Sequence, residues 1–144
     1  VKPVESLPTK RKLSNYQFSD ITYEYLDKIT NLCKENDIKL VLIKAPSVYP
    51  YWYEEYDSQI EEYSNKNDLT FINFLDNIEE IGIDYTQDTY DSGLHLNLYG
   101  ATKLSKYFSK ILEEQFDLTD YRQDEAINAI YQEKLTQYHK ETGI

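Results

Sequence analysis

Leu40-Val41-Leu42-Ile43 is an unbroken apolar run reached almost directly from a helix-period segment, and this pairing limits the chain more than any other feature. A short strand that is apolar on both faces belongs to a parallel sheet, where helices cover each side. Upstream, Ser19 or Asp20 can cap a helix. Ile21, Tyr25, Ile29, Leu32 and Cys33 then recur at i, i+4, i+8, i+11 and i+12, the stripe of a helix lying on a sheet, with a stop expected near Asn36. The pattern repeats: Trp52, Tyr56, Ile60 and Tyr63 mark a second stripe running to about Lys66. After Asn67-Asp68 the segment Leu69-Thr70-Phe71-Ile72-Asn73-Phe74 reads as a second strand. Helix, buried strand, helix, buried strand is an α/β arrangement.

The remaining segments fit around this frame. Residues 1–18 mix Pro3 and Pro8 with the basic run Lys10-Arg11-Lys12 and show little periodicity, so they read as a connecting arm. Residues 75–90 are acidic and irregular, with Ile78, Ile81 and Ile83 expected against the core. Asp84, Asp88 and Asp91 lack the order of a calcium loop, so they read as turn-forming side chains, and no metal or other cofactor is expected. Asn97 is a candidate N-cap for a helix carrying Ala101, Leu104, Phe108, Ile111 and Leu112. After Asp117, Thr119-Asp120-Tyr121-Arg122-Gln123 looks like a capping-box start for a last helix, apolar at Ala126, Ile127, Ile130, Tyr131, Leu135 and Tyr138. The expected organisation is an arm at 1–18, an α/β region at 19–118 and a C-terminal helix at 119–144 packed on the same domain.

Chemistry concentrates in Asp88 to Gly100, which holds one of only two histidines and runs into a helix. A carboxylate a few residues before an imidazole, on an ordered turn, can orient the ring and stabilise its protonated form. His95 is therefore the candidate general base, with Asp91 as its partner and Asp88 as a rival for that role. Gly93 would let the backbone turn sharply between Asp91 and His95. Ser92 is too near His95 in sequence to be its nucleophile, and His139, close to a helix end, has no catalytic part. A second region lies beyond the first strand, where ligands of open α/β sheets bind. There Ser47, Tyr49 and Tyr51 are candidate substrate contacts, whereas Trp52 is more simply the start of a buried stripe. Lys44 precedes Ser47 on no helix, unlike the order of Ser–Lys hydrolases, so Ser47 is expected only to touch a ligand.

Asp91-Ser92-Gly93-Leu94-His95-Leu96-Asn97, followed by Gly100 and an amphipathic helix, resembles the C-terminal Asp/His block of the SGNH (GDSL-like) hydrolases, and the likeness runs from about Asp20 to Tyr138. It looks closest to the SGNH-like proteins of Gram-positive cell envelopes. The resemblance implies a flavodoxin-like three-layer α/β sandwich, present as its C-terminal portion. It also implies a serine esterase, deacetylase or O-acyl transferase acting on esterified carbohydrate outside the cytoplasm, at the cell envelope. Asp91 and His95 are separated by one residue more than in the usual block. The Gly-Asp-Ser nucleophile block and the Gly-x-Asn-Asp oxyanion block are absent from these 144 residues. Those groups would come from an upstream half of the same protein, and the isolated chain is expected to be inactive; the strands that complete the sheet would come from that half, from a second copy exchanging elements or from residues 1–18. The rival class is a binding or scaffolding module of the same fold that holds a glycan or a partner protein.

Composition narrows the partners. The formal net charge of −11 disfavours nucleic acid and anionic membrane surfaces, which are held by clustered Lys and Arg. No run approaches the ~18 apolar residues of a membrane-spanning helix. Cys33 is the single cysteine, so no intrachain disulfide can form, and its place on a helical stripe suggests a core position. A chain that begins with Val and contains no Met is expected to be part of a longer translation product.

Overall fold

The computed structural model describes residues 3–48 and 52–143, so Tyr49 and Tyr51 lie outside the described residues. The chain separates into two compact units, residues 1–107 and 108–144, and the boundary falls inside one helix.

In the first unit α1 (Asp20–Glu35) leads into β1 (Val41–Lys44), and α2 (Glu54–Asn67) leads into β2 (Thr70–Asn73). The two strands are parallel and in register from Val41 opposite Thr70 to Lys44 opposite Asn73, as a strand–helix–strand unit requires of its sheet. A 3-10 turn at Phe74–Asn77 and the short α3 (Ile78–Ile81) follow β2. They occupy the segment whose sequence read as irregular, and they bury Phe74, Ile81 and Ile83 as the main apolar core together with Tyr53 and Tyr63. The mixed helix and strand content with a small parallel sheet makes this an α/β unit.

The packing of α1 differs from expectation. Ile21, Tyr25, Ile29 and Leu32 are 47–59% exposed, and only Cys33 of the expected stripe is half-buried. The helix is instead turned so that Thr30 is buried, its hydroxyl 3.0 Å from the Tyr63 hydroxyl of α2. Tyr63 also donates to Asp27 at 2.9 Å, and Tyr23 to Gln59 at 3.4 Å. Polar contacts between the two helices set the rotation, and the most apolar side of α1 is left uncovered. β1 shares this exposure: it is half-buried rather than covered on both faces, with Ile43 at 50%. The second stripe behaves as its period says, with Tyr63 buried and Trp52, Tyr56 and Ile60 partly so.

The arm at residues 3–18 has neither helix nor strand, yet it is fastened along the unit. Tyr53 donates to the Arg11 carbonyl at 2.6 Å, and Gln59 bridges the Tyr16 carbonyl and the Phe18 N–H, each at 2.9 Å. The Phe18 ring stacks on Tyr56 with centroids 4.9 Å apart, and Tyr16 meets Tyr53 edge-on at 5.1 Å. Aromatic pairs add to the area they bury, so a segment without periodicity still finds a fixed place.

α4 spans Leu98–Gln115 and α5 spans Glu125–Thr142, the latter within the second unit. The start of α5 is later than the sequence suggests. Asp120 accepts two bonds from the Arg122 guanidinium and one from its main-chain N–H instead of capping a helix, and the cap is Asp124, whose carboxylate accepts from the Ile127 N–H at 3.0 Å.

Candidate active site

The turn from Asp84 to Gly100 is built on its own hydrogen bonds. Asn97 is the N-cap its sequence position promises: Oδ1 accepts from the N–H groups of Tyr99 and Gly100 at 2.9 and 3.2 Å. Its amide nitrogen donates back to the carbonyls of Gln87 and Thr89 at 2.6 and 3.2 Å, so one buried side chain ties the incoming strand to the helix start. Asp88 and Asn97 join through main-chain atoms at 2.7 Å, and Thr89 and Leu96 form an isolated antiparallel bridge. Gly100 lies so close to Asp88 that an added methyl group would collide with its carbonyl oxygen. Gly93 has φ +94°, which a side chain would strain, and Val48 already fills the space beside it.

This scaffold separates the two rival carboxylates. Asp88 is 2% exposed, and its Oδ2 accepts from the Asp84 N–H at 2.8 Å and from the Lys103 ammonium at 2.6 Å. It has a structural task. Asp91 holds His95 with both oxygens: Oδ1 accepts the His95 main-chain N–H at 2.7 Å, and Oδ2 lies 2.5 Å from ring Nδ1. Partial burial works against the Asp91 charge, but the hydrogen bonds from the His95 ring and main chain outweigh it and hold the carboxyl below its ordinary range. The extra residue in the Asp–His spacing is therefore absorbed by the turn, with Ser92 at φ +59° and Gly93 beyond it.

The His95 ring also stacks on Tyr90, 5.7 Å between centroids and 9° from parallel. The imidazole is thus fixed on one edge and one face, while its side chain remains 59% exposed. Among the described residues nothing bonds to Nε2. A clamped Nδ1 with an open Nε2 is the arrangement a general base needs if a hydroxyl is to approach from outside.

A second polar group sits at the carboxyl ends of the two strands. Ser47 is buried, and its Oγ lies 2.8 Å from Lys44 Nζ, which also donates to the Ala45 carbonyl. The ammonium stands 4.9 Å from the centre of the Trp52 ring, whose own N–H donates to Asp57 at 2.7 Å. Burial lowers the Lys44 pKa to about 8, against an opposing pull from Asp57. Ser47 and Trp52 line a cleft of about 450 Å³ with Asp57, Asp76 and Tyr85, and burial pushes the Tyr85 phenol up to about 12, so it stays neutral. The Val48 N–H donates to the Gly93 carbonyl at 2.9 Å, which ties this loop to the turn carrying His95.

The structure thus joins Asp91 to His95 and puts Ser47 in a neighbouring loop, while Tyr49 and Tyr51 fall outside the described residues. Tyr90 and the Lys44–Ser47 contact carry weight that the sequence alone did not assign. Tyr90 could have been noticed as an aromatic beside the Asp–His pair. The Lys–Ser contact had only its three-residue spacing to announce it. Among the described residues no three His, Cys, Asp or Glu side chains gather in a way that would hold a metal ion.

No family model, no curated protein and no solved structure matches this chain.

Proposed function

We propose that this chain carries the acid–base part of an SGNH-like serine esterase, deacetylase or O-acyl transferase, acting on carbohydrate esters of the cell envelope. The observation that carries this reading is the double grip of Asp91 on His95, which leaves Nε2 exposed. In that role Asp91 keeps the proton on Nδ1. Nε2 takes the proton of a serine hydroxyl as it attacks the ester, and Asp91 stabilises the imidazolium. The ring then returns the proton to the departing alcohol.

The serine and the oxyanion donors are supplied from outside these 144 residues, together with the strands that complete a three-layer sandwich. The uncovered stripe of α1 and the half-exposed β1 support that completion, because a two-stranded sheet satisfies neither its edges nor its faces.

The test is ester turnover by the protein carrying the nucleophile block. His95→Ala should lower kcat by about 10²-fold or more, the usual loss for a general base, and His139→Ala should not. Equal turnover in the two variants would reject the hydrolytic reading, and glycan binding without turnover in the parent protein would establish the binding module.

A further inference from the structure

We propose that Ser47 is a second nucleophile, independent of His95, which accepts an acyl group from an activated ester with Lys44 as its general base. Three observations converge. Lys44 Nζ and Ser47 Oγ are in direct contact at 2.8 Å, the distance at which a neutral amine can take the hydroxyl proton. Ser47 lines a cleft of about 450 Å³ at the carboxyl ends of parallel strands, the place where open α/β sheets bind ligands. The cleft sets the apolar side chains of Trp52, Leu75 and Ile78 beside the Ser47 hydroxyl, with the Tyr85 phenol and the carboxylates of Glu54, Asp57 and Asp76 on the rest of its lining, and the apolar part suits a small acyl group entering beside Oγ.

The order of these residues is the reverse of the helical Ser-x-x-Lys pattern, but the chemistry asks only for contact and for a base that can be neutral. Residue 44 ends β1 and residue 47 follows Ala45-Pro46, so the chain folds back over one turn and brings the two side chains together. Half-buried against Trp52, Lys44 loses part of its hydration, which disfavours the ammonium. Asp57 acts on it through space, and the Trp52 ring face and the Ala45 carbonyl also meet the ammonium. Asp57 favours the charged form, yet desolvation is the larger effect, and the neutral amine becomes abundant as pH passes about 8.

The step balances without a further reagent. Ser47 Oγ bonds to the acyl carbon as its proton moves to neutral Lys44. The tetrahedral adduct then collapses, the bond from carbon to the leaving oxygen breaks, and the leaving group departs as its anion while Lys44 later gives the proton to solvent. The product is an ester on Ser47. Nothing in this step asks Ser47 to turn over, so it is compatible with a chain inactive as a steady-state esterase.

The experiment treats the 144-residue chain with para-nitrophenyl acetate and follows nitrophenolate, with peptide mapping of the acetylated product. The expected result is a burst of about one equivalent, an acetyl group on the Ser47 peptide, and a rate that rises through about pH 8. Ser47→Ala should remove the burst. Lys44→Arg keeps the cation and the donor but cannot act as a base, so it should slow acylation by about 10²-fold with the circular dichroism spectrum retained. Absence of a burst, or an acetyl group on Lys44 or any residue other than Ser47, overturns the proposal. If Ser47→Ala does not fold, the peptide map of the unaltered chain decides the matter alone. The His95 reading is judged separately, since its test reads turnover when an external serine is present.

Discussion

The turn from Asp84 to Gly100 and the outer face of α1 are opposite solutions to the same problem of holding a segment in place. The turn buries polar groups, Asp88, Thr89 and Asn97, and finds a partner for each. The outer face of α1 offers Ile21, Tyr25, Ile29 and Leu32 to solvent, and the helix is held from behind, through hydrogen bonds of Thr30, Asp27 and Tyr23 and the half-buried Leu26 and Cys33. Hydrogen bonds have direction, so the turn, held by its own polar groups and by Lys103 and Val48 from outside it, can present His95 in one orientation. Apolar burial has none, and a stripe stays exposed until something covers it. The candidate site accordingly stands on the hydrogen-bonded region, and α1 leaves its apolar side open.

The largest effect expected from this contrast is at Asn97. Asn97→Leu keeps the approximate shape but strips partners from two N–H groups and two carbonyls at once, each costing about 1 kcal/mol, so a loss of about 4 kcal/mol is expected in denaturant unfolding. A loss below about 1 kcal/mol would mean that the turn does not depend on its hydrogen bonds.

A smaller effect is expected at Asp91, and its sign with pH follows from the lowered carboxyl. A group whose folded pKa lies below its unfolded value stabilises the fold above that unfolded value, about 3.9 for Asp, and loses the contribution as pH falls through the folded pKa. Asp91→Asn should therefore be slightly less stable than the parent at neutral pH, with the gap closing in acid. A gap that persists unchanged in strong acid would show that the carboxylate charge is not what holds His95.

The smallest effect belongs to the uncovered helix. In the isolated chain Ile29→Glu should change stability by no more than about 0.5 kcal/mol, as at an ordinary surface position. A loss of about 2 kcal/mol or more would show that the face is already covered in solution, and light scattering with size exclusion would tell whether a second copy covers it.

Several elements were legible from local pattern. The helix from Asp20, the strand beginning near Val41, the second helix and strand, and the Asn97 cap all stand within a residue or two of expectation, because caps and periodicity are local. The pairing of His95 with Asp91 was legible as a choice between two carboxylates. The start of α5 was misplaced because Asp120, a good cap by type, is taken by Arg122 two residues on. The rotation of α1 was misjudged because the apolar stripe was assumed to meet the sheet, whereas the buried hydroxyl of Thr30 and the phenol of Tyr63 bind each other.

By itself the sequence determined where helices and strands lie and that one histidine stands on an ordered turn before a helix. These depend on 3.6-residue and two-residue periods and on capping side chains, all within a few residues of where they act. Only the tertiary structure decided which carboxylate holds His95, that Lys103 rather than His95 answers Asp88, and that Lys44 meets Ser47 beneath Trp52. Those choices depend on where the chain's turns bring side chains in space, and a hydrogen bond or a desolvated ammonium exists only once that geometry is made.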